Sequence, residues 1–253
     1  MESVPYFNCA KGGSMDVNDE VVTDAAIITP ENAGCVGAVR DIEHPIALAR
    51  MVLEKTEHIL IVENGAQKFA LDNGVPILAP GSLNVPESSM LLDSGEDVAY
   101  DRKRRLASGT STAGDSGKPI GYVTATGTVI GCGVFANEHG CVSVSGNDTC
   151  IYCYAPARKI CERLPRDATI NYSLNTELEN LQMETGESHI GAVAVNAKGD
   201  PSIGFKSMHF PWAFCRYGYV YYGIVQNESF SEKVTVLERP LDCMCDTSSG
   251  DDD

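Results

Sequence analysis

Between Pro45 and Glu57 the apolar residues Ile46, Leu48, Ala49, Val52 and Leu53 recur at helical spacing, while Arg50, Glu54, Lys55 and Glu57 fall on the other side. This pattern predicts an amphipathic helix over 45–57 with one face on a core. Pro45 suits its first position, where no intrahelical N–H bond is required. The short apolar run from Gly37 to Ile42 reads as a strand leading into that helix. Residues 65–73 predict a second, shorter helix ended by Gly74 and Pro76. From 77 to 97 the periodicity vanishes among Pro, Ser, Gly and acidic residues, which predicts an exposed, protease-accessible linker.

Strand-like patterning follows. Val98–Tyr100 and Leu106–Ser111 predict two strands joined by the charged turn Asp101-Arg102-Lys103-Arg104-Arg105. Val129–Phe135 and Cys141–Ser145 predict short strands around the turn Asn137-Glu138-His139-Gly140, and Thr149–Leu164 predicts a helix kinked or started by Pro156. Ile190–Val195 and Ser202–Ser207 flank Lys198-Gly199-Asp200-Pro201, and Arg216–Ile224 is rich in tyrosine, so the last third reads as an antiparallel meander. The acidic tail from Cys243 to Asp253 predicts disorder.

At 253 residues and 43% hydrophobic the chain is long enough to bury a substantial core. A formal charge of −16 argues against nucleic acid and anionic membranes as partners. The longest apolar runs fall short of the ~18 residues of a membrane span, and Met1-Glu2-Ser3-Val4-Pro5 lacks a secretory pattern. The expected compartment is the cytoplasm, where ten irregularly spaced cysteines read as buried small hydrophobes. Cys150 and Cys153 form a CxxC with Cys161 following, but no second CxxC or histidine pair completes a metal set. The glycosylation sequons at Asn147, Asn171 and Asn227 are chance matches for such a chain.

Several short motifs stand in one register: Phe7-Asn8, Asp24-Ala25-Ala26-Ile27, the run from His44 to His58, Gly109-Thr110-Ser111-Thr112-Ala113-Gly114 and Pro211-Trp212-Ala213. Together they resemble the plant-type asparaginase and isoaspartyl peptidase family, a branch of the N-terminal-nucleophile hydrolases that includes the glycosylasparaginases. The resemblance runs from residue 6 to about 224. It implies an α+β fold, a four-layer αββα sandwich, lacking here the first strand, the His-Gly-Gly loop and the long helix that precede the Phe-Asn segment in the family. Either another chain supplies them or the sequence is truncated. The implied organisation is an α-subunit-like segment over 1–93 ending in the linker 77–93, a β-subunit-like segment over 94–242, and the tail 243–253.

In this family the precursor breaks just before a threonine, whose freed amine serves as base for its own hydroxyl. Ungapped register from Gly109 places the family's Gly-Thr-Val-Gly-Ala-Val-Ala on Asp93-Ser94-Gly95-Glu96-Asp97-Val98-Ala99, so Ser94 holds the nucleophile position and Asp93–Ser94 the cleavage position. Serine keeps hydroxyl and amine but loses the methyl that restricts its rotamers. Glu96 puts a carboxylate where the family has glycine. Thr112 matches the threonine that positions the nucleophile, and Ser145 with Gly146 matches the pair that stabilises the oxyanion. Each also has a plainer reading, as strand-end residues making local backbone bonds.

The substrate anchors differ. The family's Gly-Arg-Val-Gly-Asp-Ser-Pro grips the substrate α-carboxylate with arginine and its α-ammonium with aspartate. Here Gly121-Tyr122-Val123-Thr124-Ala125-Thr126-Gly127 stands in its place, with one extra residue before Ile130-Gly131, so Tyr122 replaces the arginine and Ala125 the aspartate. Three readings stay open: a weakened hydrolase of aspartyl or asparaginyl side-chain amides, a catalytically silent paralogue acting as a structural or interaction protein, and an amidohydrolase for uncharged substrates. The resemblance implies a small-molecule or peptide amide substrate, a homodimer or a heteromer with a relative, no cofactor and no metal.

Overall fold

The computed structural model describes residues 1–85 and 95–234. The described residues divide into two compact units, one ending at Met208 and the other starting at His209.

In the first unit β1 (Val22–Ile28) pairs antiparallel with β2 (Ala33–Arg40), which leads into α1 (Pro45–Lys55), β3 (Leu60–Val62) and α2 (Glu63–Asp72). After the undescribed stretch, β4 (Gly95–Tyr100) and β5 (Leu106–Thr112) form a hairpin, and β5 docks on β1. The resulting five-stranded sheet has the order β3-β2-β1-β5-β4. A short α3 (Ala125–Thr128) precedes β6 (Val134–Asn137) and β7 (Gly140–Gly146). Then come α4 (Asp148–Tyr154), α5 (Pro156–Arg163), α6 (Ile170–Thr185), β8 (Ile190–Asn196) and β9 (Pro201–Phe205). The second sheet has the order β6-β7-β8-β9.

Strand alternation divides the buried apolar residues into three layers. Val36, Val39 and Ala25 face Leu48, Ala49 and Val52 of α1 and Ala66 and Ala70 of α2. Val142, Val144, Ala192 and Ala194 face Ile151, Ile160, Leu174, Leu178 and Leu181 of the α4–α6 group. Between the sheets, Ala26, Ile28, Cys35 and Leu106 meet Val134, Ala136, Cys141 and Val195. Helices on sheet on sheet on helices is the αββα sandwich the resemblance implies.

The second unit contributes a three-stranded antiparallel sheet, β10 (Trp212–Arg216), β11 (Tyr219–Gly223) and β12 (Phe230–Lys233). Phe214 stacks on Tyr221 with centroids 4.8 Å apart, an aromatic cross-strand pair of the kind that holds hairpins.

Several sequence expectations need correction. The predicted helix 149–164 is two helices: Ala155 adopts a left-handed conformation at φ 54°, and Pro156 starts α5 rather than kinking α4. The predicted strand 129–135 begins only at Val134, because Cys132 N–H turns back to the Val129 carbonyl. Strand β1 and helix α6 were not predicted. β1 is buried on both faces and so shows no alternation, while α6 is rich in asparagine and carries its core face on Leu174, Leu178 and Leu181. Of the expected linker, Gly95–Asp97 belong to β4, and the part up to Val85 is mostly exposed but pinned by Leu83, 4% exposed, whose carbonyl accepts from Gly12 N–H. Asp93, Ser94 and the tail 243–253 lie outside the described residues.

Candidate active site

Thr112 ends β5, paired through its backbone with Asp24 of β1, and is 3% exposed. Ser108, Thr110 and Thr112 share the inter-sheet face by alternation. The Ser108 hydroxyl donates to the Val142 carbonyl at 2.7 Å. Thr112 Oγ1 accepts from Gly114 N–H at 3.0 Å, a local backbone bond that orders the turn after the strand. Two further contacts clamp this turn. Asn8 Nδ2 donates to the Gly114 carbonyl at 2.8 Å and Ala113 N–H donates to the Asn8 carbonyl at 2.9 Å. The Lys118 ammonium donates to the Ala113 and Val22 carbonyls.

Neighbouring β4 begins at Gly95, which pairs with Ser111 and is buried. The Ser111 hydroxyl points to the other face and donates to Glu2 Oε1 at 2.6 Å; the same oxygen accepts from Ile46 N–H at 2.9 Å and so caps α1. Glu96, the carboxylate standing where the family has glycine, is tied into the inter-sheet layer: the Thr110 hydroxyl donates to its Oε1 at 2.9 Å and the Ser143 hydroxyl to its Oε2. A carboxylate in this layer is tolerated because hydroxyls from both sheets solvate it.

Ser145 and Gly146 close β7, with Ser145 paired to Gly191 of β8 and 7% exposed. Gly146 has φ +151°, and a Cβ there would lie 2.4 Å from the His189 carbonyl oxygen, so only glycine fits. The next residue, Asn147, caps α4 by accepting from Cys150 N–H at 3.0 Å.

Helix α3 touches both the end of β5 and the start of α4, the helix that follows β7. A Cβ on Gly127 would sit 2.7 Å from Asp24 Cβ and 3.1 Å from Thr112 Cγ2, so α3 rests directly on the end of β5. Its cap Thr124 donates from both N–H and hydroxyl to Asp24 Oδ2, at 2.7 and 2.9 Å, while Asp24 Oδ1 accepts from Ala38 N–H at 2.8 Å. Ala38 lies at φ 51° beside the register shift between β1 and β2, so the Asp24 carboxylate joins the bulge to the α3 loop. Burial holds the Asp24 carboxyl above its ordinary range against these hydrogen bonds, and burial likewise lowers the Lys118 ammonium against the attraction of Asp24, Asp16 and Asp115.

At the same N-terminal end of α3 stands a second carboxylate, Asp148, the first residue of α4. Its Oδ2 accepts from the Tyr122 hydroxyl and Ala125 N–H, both at 3.0 Å. Its Oδ1 accepts from Thr126 N–H and the Thr126 hydroxyl, both at 2.9 Å. Desolvation, then the Asp148 charge, pushes the Tyr122 phenol up to about 12, so it remains a neutral donor. Of the described candidate residues, Thr112, Tyr122 and Ala125 are thus gathered around α3 and Asp148, while Ser145 and Gly146 end the strand that leads into α4.

Sequence reasoning missed the roles of Asn8, Asp24, Lys118 and Asp148. Asn8, Asp24 and Asp148 lie inside or beside the motifs that carry the resemblance, so their positions were visible while their contacts were not. Lys118 had no signal, since a lysine in a polar loop gives no hint of burial. The cysteines diverge: Cys153 is exposed on α4, whereas Cys161 is buried on α5 with its thiol toward the Gly140 carbonyl at 3.6 Å. Among the described residues no three His, Cys, Asp or Glu side chains are grouped as metal ligands, and no helix is long and apolar enough to cross a membrane.

The family profile described as Asparaginase matches residues 1–97 and 95–221. The chain is 30% identical to an isoaspartyl peptidase/L-asparaginase of Danio rerio over 262 residues, covering 92% of this chain and 82% of that protein. It is 31% identical to the Bos taurus protein of the same name over 245 residues, covering 88% and 79%. Against the Homo sapiens protein of that name it is 29% identical over 245 residues, again covering 88% and 79%.

Proposed function

Since the chain belongs to the asparaginase family, we propose that it is an amidohydrolase of the asparaginase and isoaspartyl peptidase type that splits between Asp93 and Ser94 and uses Ser94 as nucleophile. The observation that supports this reading is the contact of α3 with Thr112 at one strand end and with Asp148, two residues after Gly146, at the other, with β4 entering the sheet one residue after Ser94.

In the proposed reaction the Ser94 oxygen attacks the amide carbon, and its proton passes to the freed α-amine. The oxygen of the tetrahedral intermediate is stabilised by Ser145 and Gly146. Collapse breaks the C–N bond, the amine returns the proton, and ammonia or a peptide amine leaves. Water then hydrolyses the ester on Ser94, with the α-amine as base. Thr112 orients the nucleophile. Its own hydroxyl is already ordered by the Gly114 N–H, so it is pre-positioned.

Substitution of the anchors by Tyr122 and Ala125 weakens aspartyl substrates, on the order of 2–5 kcal/mol for each buried charge pair forgone. A small-molecule or peptide amide substrate, a cytoplasmic setting and a homodimer or a heteromer with a relative complete this reading. A catalytically silent paralogue is the second reading, favoured by the absence of a charged side chain at 122 and 125.

Intact mass after expression tests the first step: fragments beginning at Met1 and Ser94 are expected, and an uncleaved chain after prolonged incubation sinks the hydrolase reading. In the cleaved protein, ammonia release from asparagine and hydrolysis of β-aspartyl dipeptides should vanish in Ser94→Ala.

A further inference from the structure

Four donors converge on one small volume beside Thr112: the Tyr122 hydroxyl, the N–H groups of Ala125 and Thr126, and the Thr126 hydroxyl. Two donors to each oxygen is a full coordination set for a carboxylate. The chain fills this cradle itself, with Asp148, two residues after the Gly146 strand end. Other carboxylates stand close by. Asp115 and Asp24 act on the Tyr122 phenol, and Glu63 Oε1 lies 3.0 Å from where a Cβ on Gly121 would be. Among the described residues no lysine or arginine is ion-paired with Asp148.

We propose that Asp148 determines specificity by acting as a built-in carboxylate: it occupies the donors that an α-carboxylate of a substrate would need, so the site takes amides whose α-carboxyl is blocked. The inference rests on the reading of residues 121–127 as the substrate pocket. Physically, a second carboxylate entering here finds the four donors engaged and meets a like charge a few ångströms away. An amide in place of that carboxylate removes the repulsion and brings its own donors. The preferred chemistry is therefore an asparaginyl side-chain amide carried on a residue whose α-carboxyl is itself in an amide bond.

The test compares L-asparagine with L-asparaginamide, which differ only in carboxylate against carboxamide, by NMR titration of the full chain and by ammonia release. Asparaginamide is expected to bind at least about ten-fold tighter than asparagine, the scale of one charge repulsion across a partly wet site. Asp148→Asn, with folding checked by circular dichroism, should lower the ratio, whereas Tyr122→Phe, which keeps the charge, should preserve the wild-type preference for asparaginamide. Equal binding of the two ligands by the wild-type chain overturns the proposal, as does an unchanged ratio in folded Asp148→Asn or failure of both ligands to bind. Should Asp148→Asn not fold, Asp148→Ser replaces it with the same expected fall in ratio, and equal binding by the wild-type chain still overturns the proposal. Should the expected ratio appear without ammonia from either ligand, the hydrolase reading fails while the assignment of Asp148 stands.

Discussion

Asp24 shows how one buried carboxylate can tie distant segments of the chain together. It accepts three hydrogen bonds from Ala38 and Thr124, joining a strained bulge to the cap of α3. Asp24→Asn replaces acceptor lone pairs by donors and should destabilise the fold by about 2–4 kcal/mol. The penalty should vary with pH. Because burial raises the Asp24 carboxyl, the folded chain retains a proton that the unfolded chain has already lost, and this residue's contribution falls as pH rises through that window. Asparagine does not titrate there. Urea unfolding should therefore show a larger penalty near pH 4 than near pH 7, the lower limit being the ordinary carboxylate range of about 4; a penalty that grows with pH would contradict the burial argument. Thr112 makes a second residue-scale case. Thr112→Val leaves Gly114 N–H unsatisfied in a part-buried turn and should cost about 1–2 kcal/mol by thermal unfolding, while Thr112→Ser should recover most of it. The position of Thr112 was readable from the motif it sits in. Its partner in the turn was not, because a Thr two residues before a glycine fits many loops.

At the scale of elements, α1 is the clearest success of pattern reading, since its apolar stripe and starting proline both appear at the surface of the sequence. What the stripe could not reveal is how closely the helix approaches β2. A Cβ on Gly34 would fall 2.2 Å from the Ala49 carbonyl oxygen and 2.4 Å from Leu53 N. Helix backbone therefore rests on strand backbone there. Gly34→Ala should destabilise the chain by about 3 kcal/mol or more, through overpacking against atoms that cannot move aside, and calorimetry would register it as a lower Tm. Of the missed elements, β1 and α6 fail for opposite reasons: β1 has too little polarity to show a period, and α6 too little hydrophobicity outside three leucines. Helix α3, four residues long, is below the reach of any periodicity, yet it carries the contacts that unite Thr112 with Asp148.

For the whole molecule, burial sorts the thiols. Burial pushes Cys9 and Cys35 up to about 12 and Cys141 up to about 11, whereas Cys153 and Cys215 are exposed. Alkylation near pH 8 should modify Cys153 and Cys215 within minutes and leave Cys9, Cys35 and Cys141 unmodified until denaturant is added, as peptide mapping would reveal. Early labelling of Cys35 would mean that the layer between the two sheets opens in the native state. A cysteine's place cannot be read from ten irregular spacings, because burial depends on which strand face each occupies.

The family was legible in motif register, and the resemblance in turn implied the layer order, while apolar periodicity marked elements such as α1, because both are properties of neighbouring residues. Which charges meet was decided by the folded chain alone. Asp24 and Thr124 are a hundred residues apart, as are Glu2 and Ser111 to within ten. Their hydrogen bonds exist because two sheets and a four-residue helix bring distant segments within 3 Å. In the register the resemblance implies, Tyr122 and Ala125 read in the sequence as a loss of charge. Only the tertiary structure supplied the other half, a carboxylate from Asp148 seated on the donors beside them, since a side chain's partner is set by packing rather than by its place in the chain.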